Sequence, residues 1–347
     1  MLKKLICSFV SIALIVSGAI LFSFRDANSL IYAGTNQNEK INNMGELHDI
    51  MNFILTDVDS GNVDDNSEYE SATVHISLSE TIKVSQKANS EKASGKMTVE
   101  QDVTFYLTKR GVYIEAQTVV FLSSINKSTD VRNLAKTDLN IYLTQQESYI
   151  KVLDYTVLGD EGSVVLKPEY ANKWIKAPRD VAFEFSPFEI ELEFVLDTLS
   201  KIFDALFESG RIKEDDMSVV FDQEDMADVE IWNLDDIEID IDLGFNFDKL
   251  KESLEIDFTD KTHPHISISS IAKGKNIRNV NGGVWLGSNQ IMLETNIKFK
   301  GVMDVVISNV NNTVIDWNLD DSKIDKSVNN LEELEKIFVV KEYKEDK

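Results

Sequence analysis

Residues Asp102–Glu115 read DVTFYLTKRGVYIE, and Asp138–Lys151 read DLNIYLTQQESYIK. The two stretches share Asp102/Asp138, Tyr106/Tyr142, Leu107/Leu143, Thr108/Thr144, Tyr113/Tyr149 and Ile114/Ile150 at constant spacing, the mark of an internal repeat. In the first copy Val103, Phe105 and Leu107 alternate with Thr104, Tyr106 and Thr108. Successive side chains of a strand point to opposite faces, so this is a strand with one apolar face. Lys109-Arg110-Gly111 breaks the pattern, and Val112, Ile114 and Ala116 resume it. The second copy follows the same scheme through Leu139, Ile141, Leu143 and then Ile150 and Val152. Each copy is therefore a β-hairpin, and hairpins of this kind gain stability side by side in one sheet. A weaker third copy begins at Val284, VWLGSNQIMLE.

The rest of the chain has the same character. Of its 347 residues 43% are hydrophobic, enough for a sizeable core in one composite β-rich domain over 44–340. Strands are expected over Ala72–Val84, Asn172–Pro178, Val229–Phe247 and several later segments, Tyr155–Leu166 reads as another hairpin around Gly159–Gly162, and Lys87–Lys96 and Phe121–Lys136 are polar links. Phe247–Ser253 reads as a short helix, Asn330–Phe338 as another, and Lys341–Lys347 as a loose charged tail. Met44–Val58 carries Leu47, Ile50, Met51, Ile54 and Leu55 on one helical stripe. The strongest helical signal is Ser186–Glu208, where Leu192 through Phe207 form a broad apolar band. The fold class is mainly β (α+β): a large curved antiparallel sheet of repeated hairpins with amphipathic helices packed on its concave face.

Lys3 and Lys4 precede an uncharged apolar run, Leu5–Phe24, which ends at Arg25. The run reads either as part of a cleaved signal peptide over 1–33 or as an N-terminal membrane anchor over 5–24. Both alternatives place the body outside the cytoplasm, behind a linker at 34–43, with membrane contact only through the N-terminal segment. The sole cysteine, Cys7, lies inside that run, so disulfides and cysteine catalysis are excluded from the body. The formal charge of −25 repels nucleic acid and anionic headgroups.

Chemistry is sparse. No GxSxG, Walker loop, GxGxxG or HExxH occurs, and the chain reads as non-catalytic. Asp57, Asp59, Asp65 and Glu68 fall at alternate and terminal positions of a calcium-loop count, but Gly61 stands where an oxygen ligand belongs. Calcium and a solvated acidic loop are the two readings of that segment; no other cofactor is implied. His263 and His265 are spaced as a metal pair on a strand would be, without an evident third ligand. Tyr106, Tyr113, Tyr142 and Tyr149 share the polar face, as a stabilising aromatic ladder or as a stacking platform for a glycan or peptide.

The tandem YLT…YIK hairpins, the strand end Lys173-Trp174-Ile175-Lys176 and the amphipathic helix behind an export signal resemble the exported carriers and lipoproteins of the LolA and LppX type. The segment Ile307–Ile315 is similar to the last strand of such proteins. The resemblance implies a sheet closed by helices around an apolar cavity; the lipobox cysteine of the lipoproteins is missing here. A lipid or acyl-chain ligand would lie between Leu196, Leu199, Ile202, Phe203, Leu206 and Phe207 of the helix and Phe105, Leu107, Ile141 and Leu143 of the sheet. The alternative is a cell-surface or envelope interaction protein, or a structural one, with no small-molecule ligand.

Overall fold

The computed structural model describes residues 41–59, 69–88, 91–109, 111–124, 131–144, 148–158, 162–178, 181, 201–213, 215–222, 246–281, 290–316, 319 and 324–342. The N-terminal apolar run, Leu196, Leu199, Asp65 and Glu68 lie outside them. No helix among the described residues is long and apolar enough to cross a membrane.

One 13-stranded sheet organises the molecule. Its strands are β1 (Ser71–Ala88), β2 (Glu91–Thr108), β3 (Gly111–Ser124), β4 (Val131–Leu143), β5 (Ser148–Leu158), β6 (Gly162–Leu166), β7 (Trp174–Ala177), β8 (Ser218–Asp222), β9 (Asn246–Asp257), β10 (His265–Asn281), β11 (Gln290–Ser308), β12 (Ile324–Ser327) and β13 (Phe338–Glu342). The order across it is β12-β7-β5-β4-β3-β2-β1-β11-β10-β9-β8, with β6 joining β5 to β13. Every pairing is antiparallel except β12 on β7.

The repeat builds the sheet as its sequence demands. β2–β3 and β4–β5 are adjacent hairpins, and Tyr106 opposite Tyr113 matches Tyr142 opposite Tyr149. β3 pairs with β4 so that Tyr113 also faces Tyr142. The third copy contributes differently. Its second half opens β11, which pairs with β10 and β1 rather than with the repeated hairpins.

Several segments are more extended than their sequence suggests. Much of the expected polar links is strand: β1 runs on to Ala88, β2 starts at Glu91, β3 ends at Ser124 and β4 starts at Val131. Register shifts at Val120/Phe121 and at Asp138/Leu139 hide the alternation, since one inserted residue swaps the faces. The short helix expected at Phe247–Ser253 is instead part of β9, where ten-odd ladder positions against β10 outweigh a weak helical spacing. The terminal helix is only Leu331–Glu335, capped by Asn330 accepting from the Glu333 amide. Lys341 and Glu342, expected in a loose tail, pair with β6. Ile41, expected in the linker, is buried and donates its amide to the Lys261 carbonyl at 3.1 Å.

One face of the sheet, the inner one, carries the core. Val74, Phe105, Ile114, Ile141, Ile150 and Ile175 form a single row across six strands. The helix Met44–Asp59 and the helical residues 201–208 share one hydrophobic cluster with this face. A second cluster joins Leu139, Ile141, Ile150 and Ile175 to Leu334 and Ile337 beside the terminal helix.

Candidate functional site

The expected ligand-lining side chains divide by position. Phe105, Leu107, Ile202, Phe203 and Leu206 meet in one cluster, and Phe207 packs at its margin. Ile141 and Leu143 belong to the neighbouring cluster. Phe203 and Leu206 are fully buried. Met44, Leu47, Ile50 and Met51 of the N-terminal helix fill the volume opposite, equally buried. The two helices are pinned together by His48, whose Nε2 lies 3.1 Å from Asp204 Oδ1 and whose ring stacks on Phe203 at 5.9 Å. The described residues of both helices and of the inner face thus belong to one apolar cluster.

Farther along the same strands the inner face changes. Gln101 on β2, Thr118 on β3 and Thr137 on β4 stand directly opposite one another, a polar row across three strands. All are buried, at 5%, 3% and 2% exposure, and none makes a side-chain hydrogen bond among the described residues. Beyond this row lies a third apolar cluster of Ile82, Val84, Met97, Val99 and Ile297, with Val120, Leu122, Leu134 and Phe299 at its edge. Its described members are all strand residues. Glu80 is buried on β1 opposite Val99, at the boundary between polar row and third cluster. Opposite Glu80 on the other side is Gly301, where an added Cβ would come within 2.9 Å of the Phe299 ring. Glycine thus lets that ring fold back over the backbone. Sequence reading missed this region because one polar residue in a strand looks outward-facing until its partners are known.

The outer face holds the tyrosines. Tyr106, Tyr113 and Tyr142 stack in succession at 5.5 and 4.4 Å between centroids, and Tyr142 meets Trp174 at 5.0 Å. Lys151 lies over the Trp174 ring and Lys176 over Tyr149. Ring faces are occupied by neighbouring rings and ammonium groups, as in a ladder that ties strands together. Glu115 accepts from the hydroxyls of Tyr106 and Tyr113 at 3.1 and 3.0 Å, and Asn140 donates to the Tyr113 hydroxyl at 2.6 Å. Burial, then the Glu115 charge and hydrogen bond, push the Tyr113 phenol well above its ordinary range. Tyr142 donates to the Asp316 carbonyl at 3.2 Å, tethering the segment that leaves β11.

The two histidines spaced as a metal pair turn to separate carboxylates. Among the described residues no three His, Asp or Glu side chains gather as a cation would require. His263 turns to Asp260 at 3.4 Å, whereas His265 turns to Asp304 at 3.1 Å. Asp57 and Asp59 lie in the last turn of the helix Met44–Asp59, and Asp65 and Glu68 fall outside the described residues.

No protein-family model matches the chain, and no curated protein matches it. Among solved structures it is similar to the outer membrane protein OprG from Pseudomonas aeruginosa, at 9% identity and a TM-score of 0.14 over 68% of this chain and 97% of that one. An outer membrane channel from Pseudomonas putida F1 aligns at 11% identity and a TM-score of 0.16, over 71% of this chain and 100% of that one. The MucA/MucB complex of Pseudomonas aeruginosa aligns at 7% identity and a TM-score of 0.08, over 63% of this chain and 88% of that one. At TM-scores this low, none of the three bears on fold or function here.

Proposed function

We propose that the protein works outside the cytoplasm as a non-catalytic binder or carrier of a lipid-like ligand, held against the inner face of a curved sheet. The placement rests on the lysine-flanked apolar run at the N-terminus. The binding reading rests on one observation: a third apolar cluster on the inner face, with strand residues alone among its described members and a polar row between it and the core. A domain that needed only a filled core would gain from apolar side chains at all of these positions, since each fully buried one contributes roughly 1.5–3 kcal/mol. An interrupted face instead offers an apolar stretch and a polar one side by side, the two halves of an amphiphile. The segment lined by Ile82, Met97 and Ile297 is the stretch proposed here for the ligand's chain; Leu196 and Leu199 of the helix band lie outside the described residues.

The test is native mass spectrometry of the purified protein, followed by titration with a fluorescent acyl-chain probe. Copurified lipid and saturable binding are expected. Ile297→Trp, which fills the third cluster, should abolish binding, and Phe203→Ala should lower stability without changing affinity. A ligand-free spectrum with no saturable binding would sink the proposal and leave an envelope interaction protein as the better reading.

A further inference from the structure

We infer that Gln101, Thr118 and Thr137 form the subsite for the ligand's polar head, and that this head is uncharged: a hydroxyl, ester or amide group. The inference rests on the lipid-binding reading above and specifies its chemistry. The three side chains occupy consecutive positions across β2, β3 and β4, so they span about 10 Å at the usual strand spacing. All are more than nine-tenths buried on the face that holds the apolar clusters, without a side-chain hydrogen bond among the described residues. A buried polar group left without a partner destabilises a fold, and three in a line point to something that answers them together.

Their chemistry sets the class of the answer. A carboxamide and two hydroxyls both donate and accept, which suits glycerol-type hydroxyls and ester or amide carbonyls. Toward the helices the next row is Ile76, Val103, Ala116 and Leu139, all apolar. Toward the third cluster it is Glu80, Val99, Val120 and Ala135. Neither row offers a lysine or arginine, and its ionisable member, Glu80, is a carboxyl. A carboxylate or phosphate head placed here would shed its water without gaining a cation, which is strongly unfavourable. A neutral head gains hydrogen bonds at no such penalty, while its chain lies along Ile82, Met97 and Ile297.

The experiment compares two probes with the same chain and fluorophore, a monoacylglycerol and the corresponding fatty acid at neutral pH, on the full-length protein. The monoacylglycerol should bind about tenfold more tightly or better. Gln101→Leu combined with Thr118→Val should erase that preference while leaving fatty-acid binding unchanged. The ligand-free double variant should melt no lower than the parent, because the groups removed have no side-chain hydrogen bond among the described residues. Equal binding of both probes, tighter binding of the fatty acid, or a variant that keeps the preference would overturn the head assignment and leave the lipid-binding reading standing. Binding of neither probe overturns both. A double variant that melts well below the parent shows these groups satisfied within the protein or by ordered water and overturns the assignment too.

Discussion

Tyr113 concentrates the outer-face chemistry in one residue. It stacks between Tyr106 and Tyr142, donates to Glu115 and accepts from Asn140. Burial first, and Glu115 second, raise its pKa; Tyr106 and Tyr142 are raised as well, with burial again the leading cause. A phenol whose folded pKa exceeds its unfolded value favours folding while it stays protonated. That contribution is complete below the unfolded value near pH 10 and is lost as pH climbs toward the folded one. The urea midpoint should therefore fall steeply above about pH 10. Phenolate absorbance should show these tyrosines ionising late, and Glu115→Gln should bring the Tyr113 step to lower pH. On the other face Phe203, fully buried, should cost about 3–5 kcal/mol when truncated to alanine, read from urea unfolding. The tyrosine face was legible in sequence because parity alone places it. Gln101, Thr118 and Thr137 were not, because whether a polar residue in a strand is buried depends on what lies above it.

At the scale of elements the repeat carried the most information. Two hairpins with matching tyrosines specified four neighbouring strands and their register. Strand length was less legible, since the shifts at Val120/Phe121 and Asp138/Leu139 interrupt the alternation that marks a strand. β9 shows the opposite error: Phe247, Leu250 and Leu254 are spaced for a helix, yet pairing with β10 decides the outcome. The helical residues 201–208 end as their sequence indicates. Gly210 sits at φ +70°, and the amides of Arg211 and Ile212 donate to the Leu206 carbonyl at 3.0 and 3.2 Å. Nothing lies within 4 Å of a Cβ built there, so Gly210→Ala should be destabilising through backbone conformation alone, by about 1–2 kcal/mol. Gly210→Asn should lose less, because asparagine tolerates the left-handed region. Urea unfolding of the two variants separates this account from one based on crowding.

Across the whole molecule, the sequence indicated one β-rich body behind an export segment but not how its halves interlock. Proteolysis of intact cells should digest the body and spare a cytosolic control; a protected full-length chain would refute the extracytoplasmic placement. What no local pattern announces is that β1 sits between β2 and β11, with Thr73 opposite Ser308. The chain then crosses back, Asn309 and Asn311 turning at positive φ and the latter's amide donating to the Ser71 carbonyl, until β12 lies parallel on β7 at the far edge. This lacing has a consequence for biogenesis. A chain that leaves the cytoplasm N-terminus first delivers β1 through β7 early, but β1 keeps a long open edge until β11 emerges. Pairings so distant in sequence are slow to form, and unpaired edges recruit other chains. With export as proposed above, the half-secreted polypeptide would be the vulnerable species. A version ending before Gln290 should aggregate or be degraded where the full chain is soluble, and a holding chaperone on the far side of the membrane should matter most for this protein in the interval before its last long strand arrives.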